Sequence, residues 1–188
     1  MKRKVVALTG GIGSGKSAVA SILRDMGYKT VDCDVLARQV ADFPQTVAQL
    51  EQLLGSKYVS NGSIDRKAVR ERVFCDEKLL KQYQTIFFDG VKSLLLDEIE
   101  QIDGTIFVEI PILDAFDFKW DEIWLVESEL DRRISRVTVR DGVSQQNVLN
   151  IIAKQKQFGN PTRVIANNGD LGDLQHAVKQ ALVQSKLN

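Results

Sequence analysis

Gly10-Gly11-Ile12-Gly13-Ser14-Gly15-Lys16-Ser17 matches the pattern G-x-x-x-x-G-K-[ST]. A short apolar run precedes it and a run of helical period follows, the two settings in which that pattern means phosphate binding. Backbone N–H groups of such a loop, here across Gly11, Gly13, Ser14 and Gly15, form a concavity for phosphate oxygens. The N-terminus of the following helix adds its partial positive charge. Lys16 can neutralise β- and γ-phosphates, and the Ser17 hydroxyl can ligate Mg²⁺. The alternative is a glycine-rich turn with no ligand; spacing and setting favour a nucleotide.

Three further groups could work beside that loop. Asp32-Cys33-Asp34 closes a short strand-like run, and carboxyl ends of strands line the ligand crevice of a doubly wound sheet. A carboxylate there can accept the proton of an acceptor hydroxyl as phosphate moves; otherwise one aspartate only caps the next helix. Glu109 ends the apolar run Thr105-Ile106-Phe107-Val108, a position suited to an Mg²⁺-bound water, although buried strands often end in a polar residue. Arg132, Arg133, Arg136 and Arg140 crowd one helix. Arginine stabilises the charge that develops on a moving phosphoryl group, often from a mobile lid. Arg132 and Arg133 read as a solvated face balanced by Glu127, Glu129 and Asp131. Arg140, beside Asp141-Gly142, reads as functional. No N-K-x-D motif for guanine is present.

The elements that must hold these groups follow from periodicity. Strands are expected at residues 5–8, 29–31, 105–110, 122–126 and 163–166. Helical spacing runs through Ala18, Val19, Ile22, Leu23 and Met26, and again through Leu171, Leu174, Val178 and Leu182. Asp65, Ser128 and Ser144 stand where helix N-caps belong. From about residue 35 to 101 the chain reads as mostly helical. It carries Leu79, Leu80, Tyr83, Phe87, Val91, Leu94 and Leu95 on one stripe, with Phe74 and Phe88 beside it. Short apolar strands alternating with helices predict an α/β fold, a parallel sheet with helices on both faces. The long helical stretch exceeds a simple crossover and reads as an insertion that carries substrate specificity.

Composition narrows the class. The chain has 188 residues, with 25 Lys+Arg against 25 Asp+Glu. That length suits one domain, and the balance disfavours a nucleic-acid or polybasic membrane surface. Two cysteines, Cys33 and Cys75, are too few for a disulfide framework or a zinc site. No run resembles a signal peptide or approaches the ~20 apolar residues of a membrane span, so a cytoplasmic protein is expected. His176 reads as surface, and Trp120 and Trp124 as core or pocket wall.

Taken together, the chain resembles the dephospho-coenzyme A kinase family along nearly its whole length. The resemblance rests on LTGGIGSGKSAVA at the start, VDCDVLARQV (31–40), GSIDRKAVRERVF (62–74), EIPIL (109–113), RVTVRDGVS (136–144) and NNG (167–169). It implies one P-loop kinase domain over residues 1–188: a core of 1–39 and 103–188, a helical substrate-binding insertion of about 40–102, and a lid of about 136–160. The implied reaction moves the γ-phosphate of ATP, with Mg²⁺, to the 3′-hydroxyl of dephospho-coenzyme A. On the matching positions Asp34 is the implied catalytic aspartate and Arg140 the lid arginine. Asn167-Asn168-Gly169 is the loop against adenine, with Asp32 and Arg38 near the acceptor. The sequence departs from the family's pattern at Phe87-Phe88-Asp89-Gly90, where a His-Pro pair is usual. Asp114-Ala115 stand where a glutamate is usual, and Ala18 replaces a threonine whose backbone N–H does the binding. Kinases of other small hydroxyl or nucleotide acceptors, and a nucleotide-binding relative without turnover, remain the alternatives.

Overall fold

Val5 through Thr9 are buried without alternation, as a strand covered on both faces requires. The structure, a computed structural model, describes residues 3–60, 62–73, 75–115, 117–155 and 158–185. Phe74 lies outside these residues, as do two positions within the lid segment read from sequence. Among the described residues no helix is long and apolar enough to cross a membrane.

The chain divides into two compact units, residues 1–32 with 101–188, and residues 33–100. The first is built on five parallel strands: β1 (Lys4–Thr9), β2 (Lys29–Asp32), β5 (Thr105–Glu109), β6 (Glu122–Glu127) and β7 (Arg163–Ala166). They lie in the order β2-β5-β1-β6-β7, so β1 sits at the centre between two partners that come about 100 residues later in sequence. Helix α1 (Lys16–Asp25) and helix α8 (Leu171–Ser185) cover one face. Val6 and Leu8 of β1 meet Val19, Ile22 and Leu23 of α1 there, with Val178 and Leu182 of α8. Phe107 and the wholly buried Trp124 fill the centre, ring centroids 5.0 Å apart in an edge-on pair. The Trp124 indole N–H donates to Glu122 at 2.9 Å, satisfying the only polar atom such a ring brings into a core. Trp120, half-buried, packs its ring 4.5 Å from Phe118.

Helices α6 (Leu130–Asp141) and α7 (Gln145–Lys154) form a small satellite pair around Ile134, Val137 and Val148. Ser144 caps α7, its hydroxyl accepting from the Asn147 N–H at 3.3 Å. The cap expected of Ser128 does not form. Glu129 is the N-cap of α6 and makes no side-chain cap bond. Ser128 instead donates to the Asn167 carbonyl at 2.8 Å.

In the second unit helix α2 (Cys33–Ala41) begins where β2 ends, ahead of the insertion of about 40–102 that the resemblance implies. Helix α3 (Pro44–Leu54), a short hairpin of β3 (Val59–Ser60) and β4 (Ser63–Ile64), and helices α4 (Arg66–Val73) and α5 (Glu77–Glu100) complete it. The Asp65 carboxylate accepts from the Lys67 and Ala68 N–H groups at 3.1 and 3.0 Å, so it caps α4. Tyr58, Val69, Val73 and Leu79 make a small core. Gly90, inside α5, lets α2 lie close: a Cβ there would come 2.7 Å from a Val40 methyl. Helix α2 is therefore seated on α5, and α2 is the helix that carries Asp34 and Arg38.

Candidate active site

Gly15 takes a left-handed φ of 99° as the N-cap of α1, and Gly13 one of 76°. Both positions also lack room for a side chain. A Cβ on Gly13 would come 2.6 Å from the Arg133 carbonyl, and one on Gly15 would run into the Asn167 amide. The loop thus turns sharply out of β1 and delivers the first turn of α1 to the carboxyl edge of the sheet, the arrangement that concentrates donors on an anion. The Ala18 N–H closes that turn on the Gly15 carbonyl at 3.0 Å. The Lys16 ammonium curls over the loop and donates to the Gly10 carbonyl at 2.6 Å.

Beside it, β2 and β5 end in register, so Asp32 stands opposite Glu109. Glu109 is buried, and burial pushes its carboxyl above the usual glutamate range; the Asp32 charge pushes the same way. A hydrogen bond from Ser17, then Arg24 and Lys16, pull it back down. Arg24 lies 3.9 Å from the Glu109 carboxylate. Two carboxylates and a hydroxyl within one charged cluster are hard oxygen donors, the chemistry Mg²⁺ selects. No group of three or more acidic, cysteine or histidine ligands occurs among the described residues.

On the other side of the loop a cavity of about 370 Å³ opens, within the size range of small-ligand sites. Gly11, Ser14, Val126, Arg133, Phe158 and Asn168 line it. The Ser14 hydroxyl is buried there and finds no hydrogen-bond partner among the described residues, the kind of orphaned group a ligand satisfies. The Asn168 side-chain oxygen accepts from the Glu129 N–H at 2.9 Å and from Ser128 at 3.1 Å. Its orientation is therefore set.

The arginines sort differently from their sequence reading. Arg132 is solvated and pairs with Glu129 at 3.3 Å, as expected. Arg133 is not on a solvated face. Its guanidinium donates to the Ile12 carbonyl at 2.9 Å and to Gln155 at 3.1 Å, and burial lowers its pKa. Helix periodicity alone says which residues share a face, not which face meets a glycine loop. Arg136 reaches the same loop. Arg140 makes two 2.7 Å bonds to its neighbour Asp141, with its side chain 64% exposed. Asp34 and Arg38 are exposed on α2, four residues apart and so on one side of that helix.

The structure therefore brings together residues 11–18, Asp32, Glu109 and Asn168. Sequence reasoning missed Arg24, Gln155 and the structural part of Asn167. Arg24 had a signal: it follows Ser17 by seven residues on α1, two turns along one face. Gln155 had none.

A family model for dephospho-CoA kinase matches residues 4–173. A dephospho-CoA kinase of Thermus thermophilus is 33% identical over 189 residues, spanning 96% of this chain and 91% of that protein. The one of Gloeobacter violaceus is 32% identical and spans 100% and 95%. A crystal structure from Thermus thermophilus superposes with a TM-score of 0.86 at 32% identity, covering 98% of each chain.

Proposed function

Because the chain belongs to the dephospho-CoA kinase family, we propose that residues 11–18 hold the phosphates of ATP while the helical unit takes dephospho-CoA. Transfer of the ATP γ-phosphate to the acceptor 3′-hydroxyl is the family's reaction. The observation that supports this assignment of parts is the meeting of Lys16, Ser17, Asp32 and Glu109 at the carboxyl edge of the sheet. That edge is where an α/β sheet binds its ligands.

In this reading Lys16 leaves the loop carbonyls for the β- and γ-phosphates. Ser17, and Glu109 through water, would hold Mg²⁺, which would supply charge neutralisation on the phosphate oxygens. Asn168 borders the adenine, and Asp32 and Arg38 border the acceptor. The 3′-oxygen bonds to the γ-phosphorus as the bridging bond to ADP breaks, and Asp34 takes the hydroxyl proton. Arg140, in a lid of about residues 136–160, exchanges Asp141 for the moving phosphoryl group. A cytoplasmic setting belongs to the same reading, since Cys33 and Cys75 are thiols rather than halves of a disulfide.

The half-buried rings of Tyr83, Phe87 and Phe88 give the helical unit apolar surface, with Tyr83 and Phe87 4.7 Å apart. Such surface suits a long acceptor with a pantetheine arm, whose remote binding can be spent on orienting the hydroxyl. ADP release measured with a panel of acceptors tests this. The kcat/KM for dephospho-CoA should exceed that for adenosine or AMP by at least about a hundredfold, roughly 2.7 kcal/mol of transition-state binding. Equal use of AMP would overturn the acceptor assignment.

A further inference from the structure

The Ser14 carbonyl accepts two hydrogen bonds, one from the Asn167 amide at 2.8 Å and one from Arg136 at 3.4 Å. The same Arg136 nitrogen reaches the Gly13 carbonyl at 3.3 Å and the Ser128 hydroxyl at 3.2 Å. Its other amine donates to the Asn167 carbonyl at 3.1 Å. Asn167 is buried and anchored to the sheet by its own N–H, which donates to the Glu127 carbonyl at 2.8 Å. One guanidinium and one carboxamide thus tie the loop, the end of β6 and the turn after β7 into a single knot.

The geometry of that knot has a chemical direction. In a planar trans peptide the C=O and the following N–H point opposite ways. Drawing the Ser14 carbonyl toward Arg136 and Asn167 turns the Gly15 N–H away from them, free to face a phosphate held in the loop. The Gly13 carbonyl is drawn the same way, while the Ser14 N–H closes back on the Gly11 carbonyl at 3.1 Å. The absence of a side chain at Gly15 lets Asn167 come this close.

We propose that Arg136 and Asn167 are positioning residues that hold the phosphate cradle open by clamping the Gly13 and Ser14 carbonyls, so that Asn167 serves the phosphates rather than the base. This rests on the reading of residues 11–18 as the phosphate site. A preformed cradle spares the ligand the cost of ordering the loop, so losing the clamp weakens anything that binds through phosphates, with or without a base.

Calorimetric titration of Arg136→Ala, Asn167→Asp and the double variant with two probes, ADP and inorganic tripolyphosphate, tests it. Asn167→Asp keeps the side-chain shape and removes the donor to Ser14. Each single variant should weaken both probes by about tenfold or more. The double variant should lose much less than the product of the two, because both residues act on one carbonyl. The KM for dephospho-CoA should stay within about twofold. Loss of ADP binding with tripolyphosphate unchanged would make this a base-side contact and overturn the clamp. Loss in Arg136→Ala alone would make Arg136 a direct phosphate ligand and overturn it too. Should Arg136→Ala fail to fold, Asn167→Asp decides alone, unchanged tripolyphosphate binding overturning the proposal. Wild-type protein that binds both probes but phosphorylates no acceptor would overturn the acceptor assignment and leave the clamp standing. Wild type that binds neither would overturn both.

Discussion

Burial and the neighbouring Asp32 charge hold the Glu109 carboxyl above its ordinary pKa, so the folded state holds this proton more tightly than the unfolded chain does. The stability it contributes is complete below the unfolded pKa and is lost as pH rises through the higher folded value. Near neutral pH Glu109 therefore weakens the free protein, a cost that a bound cation would offset. Glu109→Gln should raise the melting temperature of the ligand-free protein at pH 7 while turnover with MgATP falls at least about tenfold. A variant less stable than wild type at pH 7 would show that the carboxylate is well compensated without metal. Two other substitutions separate binding from chemistry. Lys16→Ala should abolish transfer and weaken nucleotide binding together. Asp34→Asn should bind ATP nearly normally and turn over about a hundredfold more slowly, the range of a lost general base; greater damage from Asp32→Asn would move that role to Asp32. Lys16, Ser17 and Glu109 were legible because each follows from a local pattern, a loop motif or an acid closing an apolar strand. Arg133 and Arg136 were not, since the loop they hold is more than 115 residues away in sequence.

Capping and close approach set how the helices of residues 33–100 start and pack. Removing the Asp65 cap frees two N–H groups of α4, and Asp65→Ala should cost about 1 kcal/mol. A methyl at Gly90 would gain up to about 1 kcal/mol of helix propensity but meet Val40, and overpacking typically costs about 1–3 kcal/mol. Gly90→Ala should therefore destabilise and shift α2, raising the KM for dephospho-CoA several-fold with the KM for ATP unchanged. An unaltered acceptor KM would mean α2 tolerates the displacement. Strands β1, β5 and β6 could be read directly because each holds an unbroken apolar run, and α5 because its stripe repeats over many turns. The β3–β4 hairpin could not, with only two residues on each side. Its sole signal was the Asn61-Gly62 dipeptide. Ser128 was misread because a serine before a helix can equally turn its hydroxyl to a neighbouring loop.

At the scale of the molecule, parallel strands and crossover helices were evident from their alternation, but strand order was not. Nothing local in residues 4–9 states that their partners begin at residues 105 and 122. The start of the helical unit at Cys33 was equally hidden, because α2 follows β2 without a break in composition. The placement of the indoles within this division has an optical consequence. The chain has two tryptophans, Trp120 and Trp124, and both belong to the unit of residues 1–32 and 101–188. The helical unit has none. Indole emission therefore follows the melting of the sheet-bearing unit alone, reported by a ring wholly out of water, while far-ultraviolet circular dichroism follows helices of both. ADP at a hundred times its Kd stabilises the unit that binds it by about 2.7 kcal/mol, which should move the emission transition upward. If the dichroic transition moves with it at every ADP concentration, the two units melt as one. A dichroic phase that stays behind would instead report the helical unit unfolding on its own, giving its separate stability from a single unlabelled sample.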